Sequence, residues 1–142
     1  KDRSTTPDEF KLNLMKYIDE TKAKSAIPVL ITPVSRRYFD KEGNVRQTHE
    51  SYSDVVRELA NSQQIILIDL DEMSRKLYQK YGSEDSKLLF LDLAPNQHPN
   101  YPNGVTDGTH FNEYGARLIA ELVLNEIKTQ KLSIARFIVN SK

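Results

Sequence analysis

The residues Asp107-Gly108-Thr109-His110 set a carboxylate three positions before an imidazole, and Phe111-Asn112-Glu113-Tyr114-Gly115-Ala116 then enter an amphipathic helix. A carboxylate that grips one ring nitrogen of a histidine fixes the ring's tautomer and orientation. The other nitrogen is left to take a proton from a nucleophile. On a turn, a spacing of three lets Asp107 fold back onto His110, and Gly108 relaxes the backbone between them. A plainer reading is also open, since Asp-Gly is a common turn and a histidine ahead of a helix can serve the helix entry. A metal site is a rival chemistry: Asp92, His98, Asp107 and His110 offer histidine and carboxylate ligands. No His-x-x-x-His or His-Glu-x-x-His spacing accompanies them, so the expectation is that no metal is bound.

Elements must hold these residues. Thr6, Pro7 and Glu9 read as a capped helix start, with Phe10, Leu14, Tyr17 and Ile18 at helical spacing and Leu12 and Met15 widening the stripe to about Lys24. Ile27 to Val34 reads as a buried parallel strand bounded by prolines. A polar loop from Ser35 to Gln47 turns at Asp40–Asn44. A helix over His49 to Ser62 turns Tyr52, Val55, Val56 and Leu59 inward, and Gln64 to Leu70 is a second buried strand. A helix from Asp71 to Tyr81 stops at Gly82, and Ser83 to Thr106 reads as a long loop. The last helix, Asn112 to Thr129, buries Leu118, Ile119, Leu122, Val123 and Ile127; Ser133 to Asn140 is a strand or a tail. Helices alternating with buried strands indicate an α/β fold with a parallel sheet. Two strands cannot bury both faces of such a sheet, so part of it is expected outside these residues.

At 142 residues the chain is of one-domain size, and 38% apolar residues support a modest core. Twenty basic and twenty acidic residues cancel, which excludes the basic stripe of a nucleic-acid binder and a polybasic membrane anchor. No apolar run approaches the roughly 20 residues of a membrane span. The absence of cysteine excludes disulfides and thiolate metal sites. Lys1 to Thr6 does not read as a signal peptide.

Three stretches carry a family resemblance. Pro28-Val29-Leu30-Ile31-Thr32-Pro33-Val34-Ser35-Arg36-Arg37, His49-Glu50-Ser51-Tyr52, and Thr106 to Ala116 resemble the SGNH (GDSL-like) hydrolases, and more closely their rhamnogalacturonan acetylesterase branch. The resemblance implies a three-layer, flavodoxin-like α/β fold with a parallel sheet flanked by helices. It implies a Ser-His-Asp triad that removes acetyl groups from pectic polysaccharide and needs no cofactor. It also implies a secreted or periplasmic setting and an acetylated polysaccharide or oligosaccharide as partner.

The family's Gly-Asp-Ser block, second-block glycine and third-block asparagine are absent, and none of the eleven serines has a Gly-Asp-Ser setting. Residues 1–142 are therefore expected to be the carboxy-terminal part of a single such domain, inactive alone and prone to self-association through an open strand edge. His110 is expected as general base and Asp107 as its orienting partner. Arg36 and Arg37, past a strand's carboxyl end, are candidates for contacting an acidic polysaccharide, and a solvated or ion-paired face is the other reading. His49 heads a helix, where it packs, caps or reaches a site. Tyr101 is a candidate for stacking on a sugar face. His98 reads as a solvated loop residue, with a substrate contact as the other reading. The alternative from another class is a non-catalytic glycan-binding module; an upstream Gly-Asp-Ser segment would separate the two, and a metal analysis would test the metal-dependent hydrolase.

Overall fold

The computed structural model of the chain describes residues 5–139, and two units emerge: Lys1–Ser35 with Gln47–Met73, and Arg36–Arg46 with Ser74–Lys142.

In the first unit, helix α1 (Pro7–Ala23) starts as its sequence dictates. The Glu9 amide donates to Thr6 Oγ1, and the Thr6 amide donates to the Glu9 carboxylate at 2.8 Å, a complete capping box. Helix α2 (Glu50–Ser62) connects strand β1 (Val29–Ile31) to strand β2 (Ile66–Ile68), and the strands pair in parallel, Leu30 opposite Leu67. Ile18, Leu30, Val56, Leu59, Ala60 and Ile65 form the core here, with Phe10, Leu14, Val55 and Leu67 packed on it.

Three expectations fail in this unit, the first being the second strand: read as buried over Gln64 to Leu70, it is confined to Ile66–Ile68, and only Ile68 is fully buried. The strand read over Ile27 to Val34 is three residues long, because Pro28 and Pro33 cannot donate to a ladder. It is not buried on both faces: Val29 and Ile31 are 37% and 45% exposed, and only Leu30 points inward. Leu12, Met15 and Tyr17 are exposed, so the apolar stripe of α1 is narrower than its sequence suggests.

Just past the two strands lies a polar cluster the sequence did not reveal. Arg57 of α2 bonds to Asp54, to both oxygens of Asp69 and to the fully buried Asp71. Thr32 donates to Asp69 Oδ1 at 3.0 Å and accepts from the Asp71 amide at 2.8 Å. Burial pushes the Asp69 carboxyl up, but the bonds from Arg57, the Glu72 amide and Thr32 outweigh it and leave it below the ordinary carboxylate value.

The second unit opens with the turn at Asp40–Asn44, where Asp40 Oδ1 accepts from the amides of Glu42 and Asn44. Helix α3 (Leu70–Asp85) begins in the first unit and kinks at Gly82, φ 75°, close to the stop the sequence indicates. The segment read as one long loop, Ser83 to Thr106, is largely ordered: a 3-10 turn (Ser86–Leu89), strand β3 (Phe90–Leu93), and a hairpin connection into strand β4 (Val105–Phe111). That connection closes on itself through Asn96 N–H to Pro102 O, Gln97 N–H to Ala94 O and Gly104 N–H to Tyr101 O. Helix α4 (Glu113–Thr129) follows. Tyr78, Leu89 and Phe90 are fully buried, and Leu77, Tyr81, Phe111, Leu118 and Ile119 pack around them. Phe90 stacks tilted on Phe111, ring centroids 4.8 Å apart. The α4 residues expected to be buried are only half-buried. A 3-10 turn covers Ser133–Phe137, where a strand or tail was read; Asn140 lies outside the described residues, as do Lys1 to Ser4 of the signal-peptide reading.

The α/β class holds. The three-layer parallel sheet is not formed by the described residues, whose strands make one parallel pair in the first unit and one antiparallel pair in the second.

Candidate active site

The Asp-Gly-Thr-His segment is not a free turn before a helix; it is an irregularity inside β4. Phe90 pairs with Phe111 and Asp92 with Thr106, so one residue of β3 faces the four residues 107–110. The excess is thrown out of the ladder as a large bulge, a device that re-aims side chains. Phe111, anchored on Phe90, fixes one foot of the bulge, and the Thr106–Asp92 pair fixes the other.

Within the bulge Asp107 organises everything around it. Its Oδ1 accepts from the amides of Thr109 at 2.6 Å and His110 at 3.0 Å, and its Oδ2 lies 2.6 Å from His110 Nδ1. The bond from the His110 amide, then that from the His110 ring, then that from the Thr109 amide, lower the Asp107 carboxyl to about 2. Asp107 is therefore ionised at any ordinary pH and can only accept. Nδ1 must be the donor, and in the neutral ring Nε2 carries the free lone pair. The His110 side chain is 77% exposed while Asp107 is 23% exposed, so the imidazole is presented and its carboxylate partner sheltered.

A folded-state pKa below the unfolded one gives bonding that is complete above the unfolded value of about 3.9 and is lost as pH falls through about 2. The amide resonances of Thr109 and His110 should thus shift in an NMR titration with a midpoint near 2. A midpoint at about 3.9 would show that the carboxylate is not bonded in the loop.

The exit of the bulge is held as firmly. Asn112 caps α4, its Oδ1 accepting from the Gly115 amide at 2.9 Å. Its Nδ2 donates to the carbonyls of Leu88 and Phe90, and its backbone N–H to Leu89 O. Gly115 is buried against the same 3-10 turn: a Cβ there would come within 2.7 Å of the Leu89 carbonyl carbon. These two residues were missed as positioning elements; the signal was present in the Asn at the helix start and the Gly three residues on.

The other candidates separate. Arg37 turns inward: its Nε donates to Ser86 Oγ at 2.8 Å, Nη2 donates to Ser83 O, and the backbone N–H donates to Gly108 O at 2.7 Å. Arg36, beside it, is exposed. Tyr101 is 36% exposed and stands 5.9 Å from the His98 ring, so the two rings share one corner of the hairpin connection. His98 Nδ1 accepts from the Asn100 amide, which makes it an ordered loop residue. His49 belongs to the first unit; it precedes α2 but does not cap it with its side chain, and its Nδ1 lies 3.1 Å from Thr48 Oγ1. Asp92, His98, Asp107 and His110 do not gather as a ligand set: among the described residues no three His, Cys, Asp or Glu side chains cluster in metal-binding fashion. Likewise, no helix among them is long and apolar enough to cross a membrane.

Known proteins resemble this chain in sequence and in fold. The family model described as GDSL-like Lipase/Acylhydrolase matches residues 3–123. The rhamnogalacturonan acetylesterase RhgT of Bacillus subtilis is 40% identical over 141 residues, which are 99% of this chain and 61% of RhgT. The probable rhamnogalacturonan acetylesterase YesY of the same organism is 30% identical, with 99% and 61% covered. The crystal structure of protein YxiM, also from Bacillus subtilis, superposes with a TM-score of 0.73 at 28% identity over 90% of this chain and 33% of that one. The chain spans about three-fifths of the length of the two acetylesterases it matches. A match over most of its residues, together with the YxiM likeness, makes this chain a member of the GDSL-like lipase/acylhydrolase family.

Proposed function

We propose that this chain carries the acid–base half of a carbohydrate esterase that removes acetyl groups from a pectic polysaccharide such as rhamnogalacturonan, in a secreted or periplasmic setting. The observation that carries the reading is the 2.6 Å contact between Asp107 Oδ2 and His110 Nδ1, with the imidazole exposed. His110 Nε2 takes the proton of a serine hydroxyl as the oxygen attacks the acetyl carbonyl. It then returns that proton to the departing sugar oxygen, and Asp107 stabilises the imidazolium between the two steps. A water then repeats the sequence to release acetate and free the serine. The names of RhgT and YesY support the substrate class.

The nucleophile and the oxyanion donors are supplied from outside these 142 residues, because no serine here has a Gly-Asp-Ser setting. Outward-facing Val29 and Ile31 on β1, with Ile27 and Tyr17 exposed, make an apolar face that draws the chain to itself when nothing else covers it.

The test compares the 142-residue chain with the same residues in a longer chain that carries a Gly-Asp-Ser segment. The short chain should release no more acetate from acetylated rhamnogalacturonan, and no more nitrophenol from p-nitrophenyl acetate, than its His110→Ala variant; the longer chain should hydrolyse both. Light scattering on the short chain should report species larger than a monomer. Robust hydrolysis by a monomeric short chain would place the nucleophile among its own serines and sink the proposal.

A further inference from the structure

Arg37 is from sequence only a candidate substrate contact, and its groups point at the Asp-His bulge and its support. The Arg37 backbone N–H donates to Gly108 O at 2.7 Å, in the middle of the bulge. The approach is so close that a Cβ on Gly108 would lie 2.8 Å from Arg37 O, a distance side chains do not tolerate. The guanidinium runs the other way. Its Nε donates to the fully buried Ser86, its Nη2 to Ser83 O, and its carbon lies 5.7 Å from the Phe39 ring centroid. Ser86 opens the 3-10 turn whose carbonyls, Leu88 O and Leu89 O, receive Asn112 at the exit of the bulge. One residue therefore joins the centre of the bulge to the shelf that holds its end. A guanidinium suits this place because its planar fork offers diverging donors in fixed directions, which an ammonium on a flexible stem does not.

We propose that Arg37 is the positioning residue of the Asp107–His110 pair, acting through its latch on Gly108 and its anchor on Ser83 and Ser86, and is not a contact for the polysaccharide. This rests on the esterase reading above only for its consequence in catalysis. The latch itself is a property of the chain alone. Positioning and substrate contact make opposite kinetic demands. A misplaced base slows turnover of every ester, whereas a lost contact to a substrate carboxylate weakens binding of the acidic polymer and spares a small neutral ester.

Two measurements test the proposal. In the 142-residue chain, Arg37→Ala and Arg37→Lys should accelerate amide hydrogen exchange at Thr109 and His110 by about tenfold or more, with the α2 amides unchanged. Gly108→Ala, which keeps the guanidinium, should loosen the same two amides, and it serves if Arg37→Ala does not fold. In a longer chain carrying a Gly-Asp-Ser segment, Arg37→Ala should lower kcat for p-nitrophenyl acetate about 100-fold, with KM changed by no more than about twofold. Unchanged exchange in the Arg37 variants overturns the proposal, and so does unimpaired turnover of the neutral ester with a raised KM for the acidic polymer. Loosened exchange alongside hydrolysis that is indifferent to His110→Ala would support the latch and sink the esterase reading instead.

Discussion

In a chain that carries the nucleophile, the proposed function predicts that His110→Ala lowers kcat for acetyl-ester hydrolysis by several orders of magnitude, because it would remove the base that takes the serine proton. Asp107→Asn should cost about 10⁴-fold, since an amide can present its NH₂ to Nδ1 and so stabilise the tautomer with the proton on the wrong nitrogen. The two residues act through one proton. The double variant should therefore be little worse than His110→Ala alone, and a free-energy cycle built from steady-state rates reads that coupling directly. Fully additive losses would mean that Asp107 serves something other than His110.

Gly115→Ala is expected to give the largest loss of stability among conservative changes near the site. The new methyl would meet the Leu89 carbonyl, part of a buried backbone segment that cannot swing aside as a side chain could. Overpacking against such a wall costs about 3 kcal/mol, offset by about 1 kcal/mol of improved helix propensity. The net loss of about 2 kcal/mol should lower the thermal midpoint by roughly 6–8 °C, read by circular dichroism. The Asn112 contacts to the same turn would be displaced with it, so the bulge should loosen even where the helix survives. An unchanged midpoint would show that α4 does not dock on the 3-10 turn as described.

What the sequence disclosed follows from how local each interaction is. The capping box at Thr6 and Glu9 and the Asp107–His110 contact both close within three residues, so spacing alone reveals them; the Asn112 cap on Gly115 is as local but was passed over. The bulge that presents His110 depends on pairing with Phe90 and Asp92, about twenty residues away, and no periodicity in Val105 to Phe111 announces it. The same holds for Arg37, whose partners Ser83, Ser86 and Gly108 lie 46 to 71 positions later. From sequence an Arg pair after a strand looks like a ligand contact, and only the folded chain shows one member turned inward. The apparent long loop from Ser83 to Thr106 misled because its prolines and glycine serve a short self-bonded hairpin connection, while Leu89 and Phe90 before it are core residues. Arg57 and its aspartates were passed over because charged residues on a helix face are ordinarily solvated, yet Asp71 is fully buried.

Nitrogen-15 NMR of the imidazole reads, in the chain itself, whether Asp107 fixes His110 with Nε2 free to accept a proton. Neutral His110 should show a protonated Nδ1, hydrogen-bonded to Asp107, and an unprotonated Nε2, with Asp107→Asn abolishing that preference. A ring that carries its proton on Nε2, or that behaves the same with and without the Asp107 carboxylate, would contradict that role of Asp107.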